Sequence, residues 1–473
     1  MGDYTPHTLE GQPVSNDLQP NKLAHKNVVS SVLHQQIKKD PPKIVSGKGN
    51  YLIDSNGDEK FDASGGAAVV SIGHGNTRVK DAVIKQMDQV SYCYLPFFTT
   101  EPAEKLAKEL VDSTSGNMSK VFIVSSGTEA NEAAIKLSRQ YFAELPEPQM
   151  SRTRFIGRKQ SYHGNTLGSL SIGYHQARRA IYEPILSQNT SQVSPCYPYR
   201  DQKEGESSEA YVKKLAQELE DEFQKWGPNT VCAFIAETMS GTSLGFVPPA
   251  PGYLKAMQEV CHRHGALFIL DEVMVGMGRT GTMHAWEQEG VVPDLQTVAK
   301  GLGAGYIPIG ALLVGQKVAD TLFQGSGAFV HSQTYQGHPV ACAAAYEVQQ
   351  IIKEEGLLAN ATRMGDYLGK LLQERLGGHK NIGDIRGRGL AWGIEFVEDK
   401  ASKKPFPSEK KISGLIHLAG LQAKEGISFI PGSGNADGKN GDVVLISPAY
   451  NMTRADVEII VDRTEKVVRE VLG

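Results

Sequence analysis

The sequence predicts an α/β protein, and three stretches carry that reading. Leu267-Phe268-Ile269-Leu270 is a short apolar run that ends abruptly in Asp271 and Glu272. A run of that length bounded by charge reads as a buried strand of a parallel sheet, its carboxyl end delivering side chains to a site. Val231 to Glu237 repeats the pattern, again ending in an acid. Val121 to Val124 reads as a further strand, and Ser125-Ser126-Gly127-Thr128-Glu129 turns it into a helix on which Ala130, Ala133, Ala134, Leu137 and Tyr141 keep helical spacing.

With 473 residues the chain has room for two domains, or for one large domain with a smaller companion. A hydrophobic fraction of 40% and a charged fraction of 22% describe an ordinary globular protein. The formal net charge of −4 gives no electrostatic case for nucleic acid or an anionic membrane. Five cysteines, Cys93, Cys196, Cys232, Cys261 and Cys342, are scattered without a CxxC pair, which suits reduced thiols. No uncharged apolar run approaches the length of a membrane span. The N-terminus has no apolar signal core, no arginine before Arg78 and early acids, so the expectation is a cytoplasmic protein.

Taken in order, residues 1 to about 30 are polar and proline-dotted and read as an arm or tail. Asn56-Gly57 between strand-like residues is a hairpin signal. Asp54-x-Asn56-x-Asp58 imitates the start of a calcium loop, but the glycine is misplaced and no glutamate closes it. The stretch from Gly65 to Gly75 reads as a close-packed glycine-rich strand and turn, and a helix begins at Glu101-Pro102-Ala103. Ser126-x-x-Glu129 can form a capping box, and a strand–turn–helix junction of this kind presents free N–H groups and the positive end of a helix dipole, which suits a phosphate. Residues 200 to 227 look helical and charged and read as a solvated face. Gly276-Met277-Gly278-Arg279-Thr280-Gly281 fits a dinucleotide fingerprint, but Arg279 intrudes and no long amphipathic helix follows. A second buried strand is expected from Ile307 to Val314, then long helices (Ala341 to Glu354, and near Thr362 to Leu376). Arg386 to Phe396 reads as a turn and strand, Val443 to Pro448 as a strand and Thr453 to Val471 as a closing helix. His331 and His338, like His262 and His264, lack a clustered third ligand, so no metal is expected.

The chemistry centres on Lys300, which Thr297-Val298-Ala299 delivers into the turn Gly301-Leu302-Gly303-Ala304-Gly305. A lysine among small and apolar residues has few partners to keep it charged, and desolvation lowers its pKa toward a nucleophilic amine. An acid at one strand end and a lysine just before another form the pair that a pyridoxal 5′-phosphate (PLP) enzyme needs. The carboxylate holds the pyridinium protonated and the lysine forms the Schiff base.

LDEV, then GxGRTG, then DLQTVAKGLGAGYIPIGA closely resembles the fold-type-I enzymes of the class-III aminotransferase family, and FFTTEPAE, YHG and TYxGHPVACAA extend the resemblance over most of the chain. The resemblance implies a large domain with a mainly parallel seven-stranded sheet (residues 63–338), a small α+β domain (339–473), and an arm with part of the small domain (1–62). It assigns the cofactor phosphate to Ser126, Gly127 and Thr128, ring stacking to Tyr162 and a neighbouring role to His163. Glu237 lies near the ring, with Thr238 where the family has proline; Val273 belongs to the cofactor site, and Met274 stands where many relatives carry glutamine. Thr334 is expected to reach the phosphate of a partner subunit, which implies an obligate homodimer with shared sites. Ala68 stands where a bulky aromatic is common, implying a wider pocket, and Tyr92, Phe97 and Phe98 are expected to face substrate. Gly438-Lys439-Asn440 stands where the family often has a carboxylate-binding arginine. The implied reaction is transfer of an amino group from a primary amine or amino acid to a keto acid or aldehyde through Lys300, with Asp271 stabilising the ring. Aminomutase, epimerase or decarboxylase chemistry on the same scaffold is the alternative, and a ligand-sensing regulator a more distant one. Ala68, the aromatic group and the missing arginine together lean the donor toward a bulky amine or ω-amino compound.

Overall fold

The computed structural model describes residues 30–35, 40–422 and 424–473. The reading of residues 1 to about 30 as an arm lies almost wholly outside them.

A seven-stranded sheet is built from β1 (Met118–Val124), β2 (Arg154–Arg158), β3 (Thr190–Val193), β4 (Val231–Glu237), β5 (Leu267–Asp271), β6 (Leu295–Val298) and β7 (Gly310–Gly315). Its order is β1-β7-β6-β5-β4-β2-β3. The pairs from β6 across to β3 are parallel, whereas β7 runs antiparallel to both β6 and β1. The expected strand after Lys300 is therefore present but begins at Gly310, after a turn at 303–306 and the irregular Ile307-Pro308-Ile309.

Alternation along the central strands explains their apolar composition. Phe234, Phe268 and Leu270 point to a core capped by the helices Ser208–Trp226 and Tyr253–Arg263. Ile235 and Ile269 point to the other face, under the helix Gly127–Ala143 with Ala133, Ala134 and Leu137. Strands covered on both faces need apolar side chains at every position. The helix 208–226 corrects the reading of that stretch as a solvated face, since Tyr211, Val212, Leu215, Leu219 and Phe223 are buried at helical spacing.

A smaller antiparallel sheet follows, from β8 (Ile382–Arg388), β9 (Ala391–Asp399), β10 (Ile430–Ser433) and β11 (Asp442–Ile446), in the order β8-β9-β11-β10. The helices Leu357–Leu376 and Arg454–Leu472 pack on each other, and the first also on β8. The closing helix starts with a full capping box, Thr453 and Asp456 exchanging hydrogen bonds. The hairpin Tyr51–Asp54 and Glu59–Phe61 forms as its Asn-Gly turn predicts. Phe61 then exchanges backbone hydrogen bonds with Gly426 and Ser428, so this early segment is packed with the last third of the chain. Asp54 closes the hairpin turn, its Oδ1 accepting from the backbone N–H of Asn56 and Asp58 at 2.9 and 3.0 Å. Residues 45–473 form one compact unit.

The segment Gly65–Ala68 is a helical turn, not the expected strand. Gly65, Gly66 and Ala68 all have positive φ (56°, 68° and 61°), a region closed to an extended chain. No described helix is long and apolar enough to cross a membrane.

Candidate active site

The carboxyl ends of β1, β4 and β5, with the residues just after β6, surround one cavity of about 360 Å³. That size lies in the range of about 300–1,000 Å³ that small molecules and cofactors occupy. Its walls include Ser126, Gly127, Thr128, Asn131, Tyr162, His163, Glu237, Asp271, Val273 and Lys300. Thus every residue expected to hold the cofactor within one chain faces this space.

One end of the cavity is the start of the helix Gly127–Ala143. Ser126 caps it, its Oγ accepting from the N–H of Glu129 at 3.3 Å. The expected reciprocal bond is displaced by one residue: Glu129 Oε2 accepts from the N–H of Ser125 at 2.8 Å, not from that of Ser126. The N–H groups of Gly127 and Thr128 open the helix and have no carbonyl within it to reach. A Cβ on Gly127 would sit 2.6 Å from Val273 Cγ1, so only glycine fits beside Val273. A Cβ on Gly310 would sit 2.5 Å from the carbonyl oxygen of Ser126, which presses the start of β7 against this turn.

Asp271 is buried at the end of β5 and is held by three donors. Its Oδ2 accepts from Asn131 Nδ2 at 2.9 Å and from His163 Nδ1 at 2.8 Å; its Oδ1 accepts from the N–H of Val273 at 2.9 Å. Because the carboxylate accepts, the hydrogen of His163 lies on Nδ1, and His163 Nε2 is buried without a partner. Asn131 was not anticipated from the sequence. The signal was present: a polar residue one turn before Ala134 and two before Ser138, on the packed face of its helix.

Glu237 ends β4. Its backbone carbonyl accepts from Arg158 Nη2 at 2.9 Å, and its Oε1 accepts from the N–H of Gly241 at 3.1 Å. Its Oε2 is buried without a hydrogen bond, 3.6 Å from Arg158. Burial pushes this carboxyl up, opposed by Arg158. Thr238, standing where proline was expected, donates from Oγ1 to Glu272 Oε1 at 2.8 Å. Glu272 also accepts from Ala285 N–H, Trp286 N–H and Gln296 Nε2.

Lys300 lies just beyond β6 with φ of 42°, a left-handed conformation that is uncommon for a side-chain-bearing residue and is concentrated at functional sites. Burial pushes its ammonium down to about 8, opposed by the negative charges of Asp271 and Glu237. The amine is thereby poised for nucleophilic attack near neutral pH.

Other expected site residues lie elsewhere. Ala68 is buried beneath the wall, its carbonyl 3.5 Å from Arg279 Nη2, and the neighbouring Val69 lines the cavity instead. The reason is the positive-φ turn, which swings position 68 inward. Tyr92, Phe97 and Phe98 are exposed and do not line the cavity. Thr334 is exposed too, its carbonyl accepting from Tyr92 Oη at 2.8 Å. Lys439 is exposed, and Met274 forms part of the cavity wall. Arg279, the residue that spoiled the dinucleotide motif, is buried, and its guanidinium meets the carbonyls of Leu390, Pro448, Ala68 and Val70. It staples three segments together. No group of three or more metal-binding side chains occurs among the described residues.

The donor set fits PLP: an open helix N-terminus for a phosphate, a buried carboxylate for a ring nitrogen and a buried amine for an aldehyde. The fold and this site define a PLP-dependent transferase of the α/β class. The family model for class-III aminotransferases matches residues 35–468. An aminotransferase of Gibberella zeae is 49% identical over 442 residues, covering 93% of this chain and 86% of that protein. An uncharacterized aminotransferase of Schizosaccharomyces pombe is 47% identical over 428 residues, covering 90% and 92%. The crystal structure of an amine transaminase from an uncultivated Pseudomonas species in its PLP-bound form matches with a TM-score of 0.86 at 30% identity, over 93% of this chain and 97% of that one. The chain belongs to the class-III aminotransferases, a PLP-dependent family, and is an aminotransferase.

Proposed function

We propose that the protein moves an amino group from a primary amine or amino acid to a keto acid or aldehyde in two half-reactions, with Lys300 as the residue that holds PLP and moves the proton. The observation that carries this is the convergence of Lys300, Asp271 and the N-terminus of the helix Gly127–Ala143 on one cavity. The N–H groups of Gly127 and Thr128 would hold the phosphate, and Ser126 fixes the turn that presents them. Asp271, oriented by Asn131, His163 and Val273, would hold the ring nitrogen, and Tyr162 would stack on the ring. The bound cofactor supplies an electron-accepting ring that takes up the charge left on the donor's carbon when its proton departs. Lys300 Nζ, freed as the donor amine arrives, takes that proton as base and gives it back as acid. Its depressed ammonium suits both roles.

The donor end of the cavity is walled by Val69, Met239, Met274 and Ile307. Apolar walls favour donors with an apolar or bulky substituent. We also infer a homodimer with shared sites. Tyr92 and Tyr335 pack edge to face beside Thr334, and with Phe97 and Phe98 they are large and exposed, apolar surface of the kind that a second copy covers. A cytoplasmic location goes with this reading, the five cysteines being free.

The test is the visible absorbance of the PLP-loaded protein with a panel of primary amines and no acceptor. Bleaching of the yellow band by an amine, and its return with a keto acid, is the expected result and ranks the donors. A band that never bleaches would favour the mutase, epimerase or decarboxylase chemistry, and no band at all would overturn the role of Lys300. Sedimentation of the loaded protein tests the dimer.

A further inference from the structure

Recognition of a carboxylate substrate needs a cation with free N–H groups facing the cavity, and most arginines near this site are already engaged. Arg279 is spent on four backbone carbonyls. Arg158 is buried against Glu237. Arg179 is buried, donating to the carbonyls of Leu170, Ser171 and Gly173 and to Glu183. Lys439, on the loop between β10 and β11, is exposed and outside the cavity wall.

Arg178, itself exposed and outside the cavity wall, differs from these in touching a residue of that wall. It sits in the short turn Gln176–Arg179, and its guanidinium makes no hydrogen bond or ion pair among the described residues. The guanidinium carbon lies 4.5 Å from the centre of the Tyr162 ring, and Tyr162 is part of the cavity wall. The positive charge of Arg178 is felt at Lys300, where it helps to depress the ammonium. The pair Arg178-Arg179 thus divides the work: Arg179 anchors the turn from inside and leaves Arg178 beside the Tyr162 ring. Contact with the Tyr162 ring leaves the N–H fork of Arg178 without a partner among the described residues, so it is open to a bidentate carboxylate.

We propose that Arg178 is the specificity-determining residue for carboxylate-bearing substrates, its fork gripping the carboxylate of a keto acid at the cavity mouth beside Tyr162. The inference rests on the transamination reading and names the substrate group that this site selects. It also separates two acceptor classes, because an aldehyde without a carboxylate gives Arg178 nothing to hold.

The experiment uses the PLP-loaded protein with Arg178→Leu and Arg178→Lys. After bleaching with an amine donor, the yellow band is restored with pyruvate or with propanal, and the two rate constants are compared. In parallel, calorimetry measures binding of propionate, which has the carboxylate but no reactive group. Arg178→Leu is expected to lower the ratio of pyruvate to propanal rate constants by on the order of ten- to a hundredfold, and propionate affinity in step, the range for a lost charge-assisted contact. Arg178→Lys should recover part of both, since it keeps the charge and loses the fork. Equal losses for pyruvate and propanal, with weaker cofactor absorbance, would mean that Arg178 only steadies the Tyr162 ring, and would overturn the proposal. So would unchanged propionate affinity in Arg178→Leu. If no amine bleaches the wild-type band, the transamination reading is what fails, and propionate binding still decides the role of Arg178.

Discussion

Asn131 and Asp271 are joined by a 2.9 Å hydrogen bond from Nδ2 to Oδ2, and the same Asn131 nitrogen donates to the carbonyl of His163 at 2.7 Å. Asn131 Oδ1 accepts in turn from Thr297 Oγ1 at 2.9 Å. The buried carboxylate is therefore set by a helix, a loop and, through Thr297, the strand that leads to Lys300. The two groups on which the chemistry depends share one hydrogen-bonded frame.

Asp271→Asn keeps the shape and removes the charge. It is expected to lower the rate of the amine half-reaction by on the order of 10²–10³, the usual loss for a preorganised electrostatic partner. Single-turnover bleaching of the cofactor band measures it. A loss of tenfold or less would place the electrostatic support elsewhere.

Asn131→Ala leaves the Thr297 hydroxyl unpaired and Asp271 one donor short. Unfolding in urea should show a loss of about 1–3 kcal/mol. The rate should fall less than in Asp271→Asn, because His163 and Val273 still orient the carboxylate.

Lys300 gives a pH dependence with a definite sign. In the protein without cofactor its ammonium titrates at about 8, below the ordinary 10.5. The neutral amine, the form that can capture an aldehyde, gains with pH through that value, so the rate of PLP uptake should rise across it. The unfolded chain holds the proton up to the ordinary value. Between the two the unfolded state binds more protons, and the unfolding free energy gains with rising pH from this residue. Comparing cofactor-free wild type with Lys300→Met at pH 7.5 and 10 isolates the effect: the variant's advantage should shrink at the higher pH. Borohydride reduction of the loaded protein, with mass analysis of the Lys300 peptide, checks the attachment directly.

Gly127→Ala tests the close approach at the helix start. A Cβ 2.6 Å from Val273 Cγ1 must push Val273 or the turn aside, at a cost of about 1–3 kcal/mol. PLP affinity, followed by spectroscopic titration, should weaken by tenfold or more.

Thr238→Val removes the hydroxyl that binds Glu272 at 2.8 Å, leaving a buried carboxylate with three donors in place of four. Chemical denaturation should show a loss of about 1–3 kcal/mol. Retention of full stability would mean that the loop after β4 holds without this bond.

The central strands were legible because burial on both faces leaves an unbroken apolar run, as in Phe268-Ile269-Leu270. β3 was not: Thr190-Ser191-Gln192-Val193 is an edge strand with polar side chains, and its composition says little. The turn at Gly65–Ala68 was misread because four successive small residues hide the sign of φ, which only the fold reveals. Among site residues, Lys300 and Asp271 announced themselves by an isolated charge against apolar neighbours. Asn131 did not, because an amide inside a helix is common and its partners lie 32 and 140 residues away. The aromatics near position 95 show the converse limit. Clustering marks them as special without saying whether they face inward or out.

The contact between Gly310 and the carbonyl of Ser126 has a consequence for how such a protein changes over time. It joins main chain to main chain, so the span from the turn at Ser126 to Lys300 is gauged by backbone and is indifferent to most side-chain replacement. The donor end of the cavity is walled by Val69, Met239, Met274 and Ile307, side chains from separate segments that can be exchanged one at a time. A chain built this way can trade its clientele while the gauge that holds its tool stays fixed.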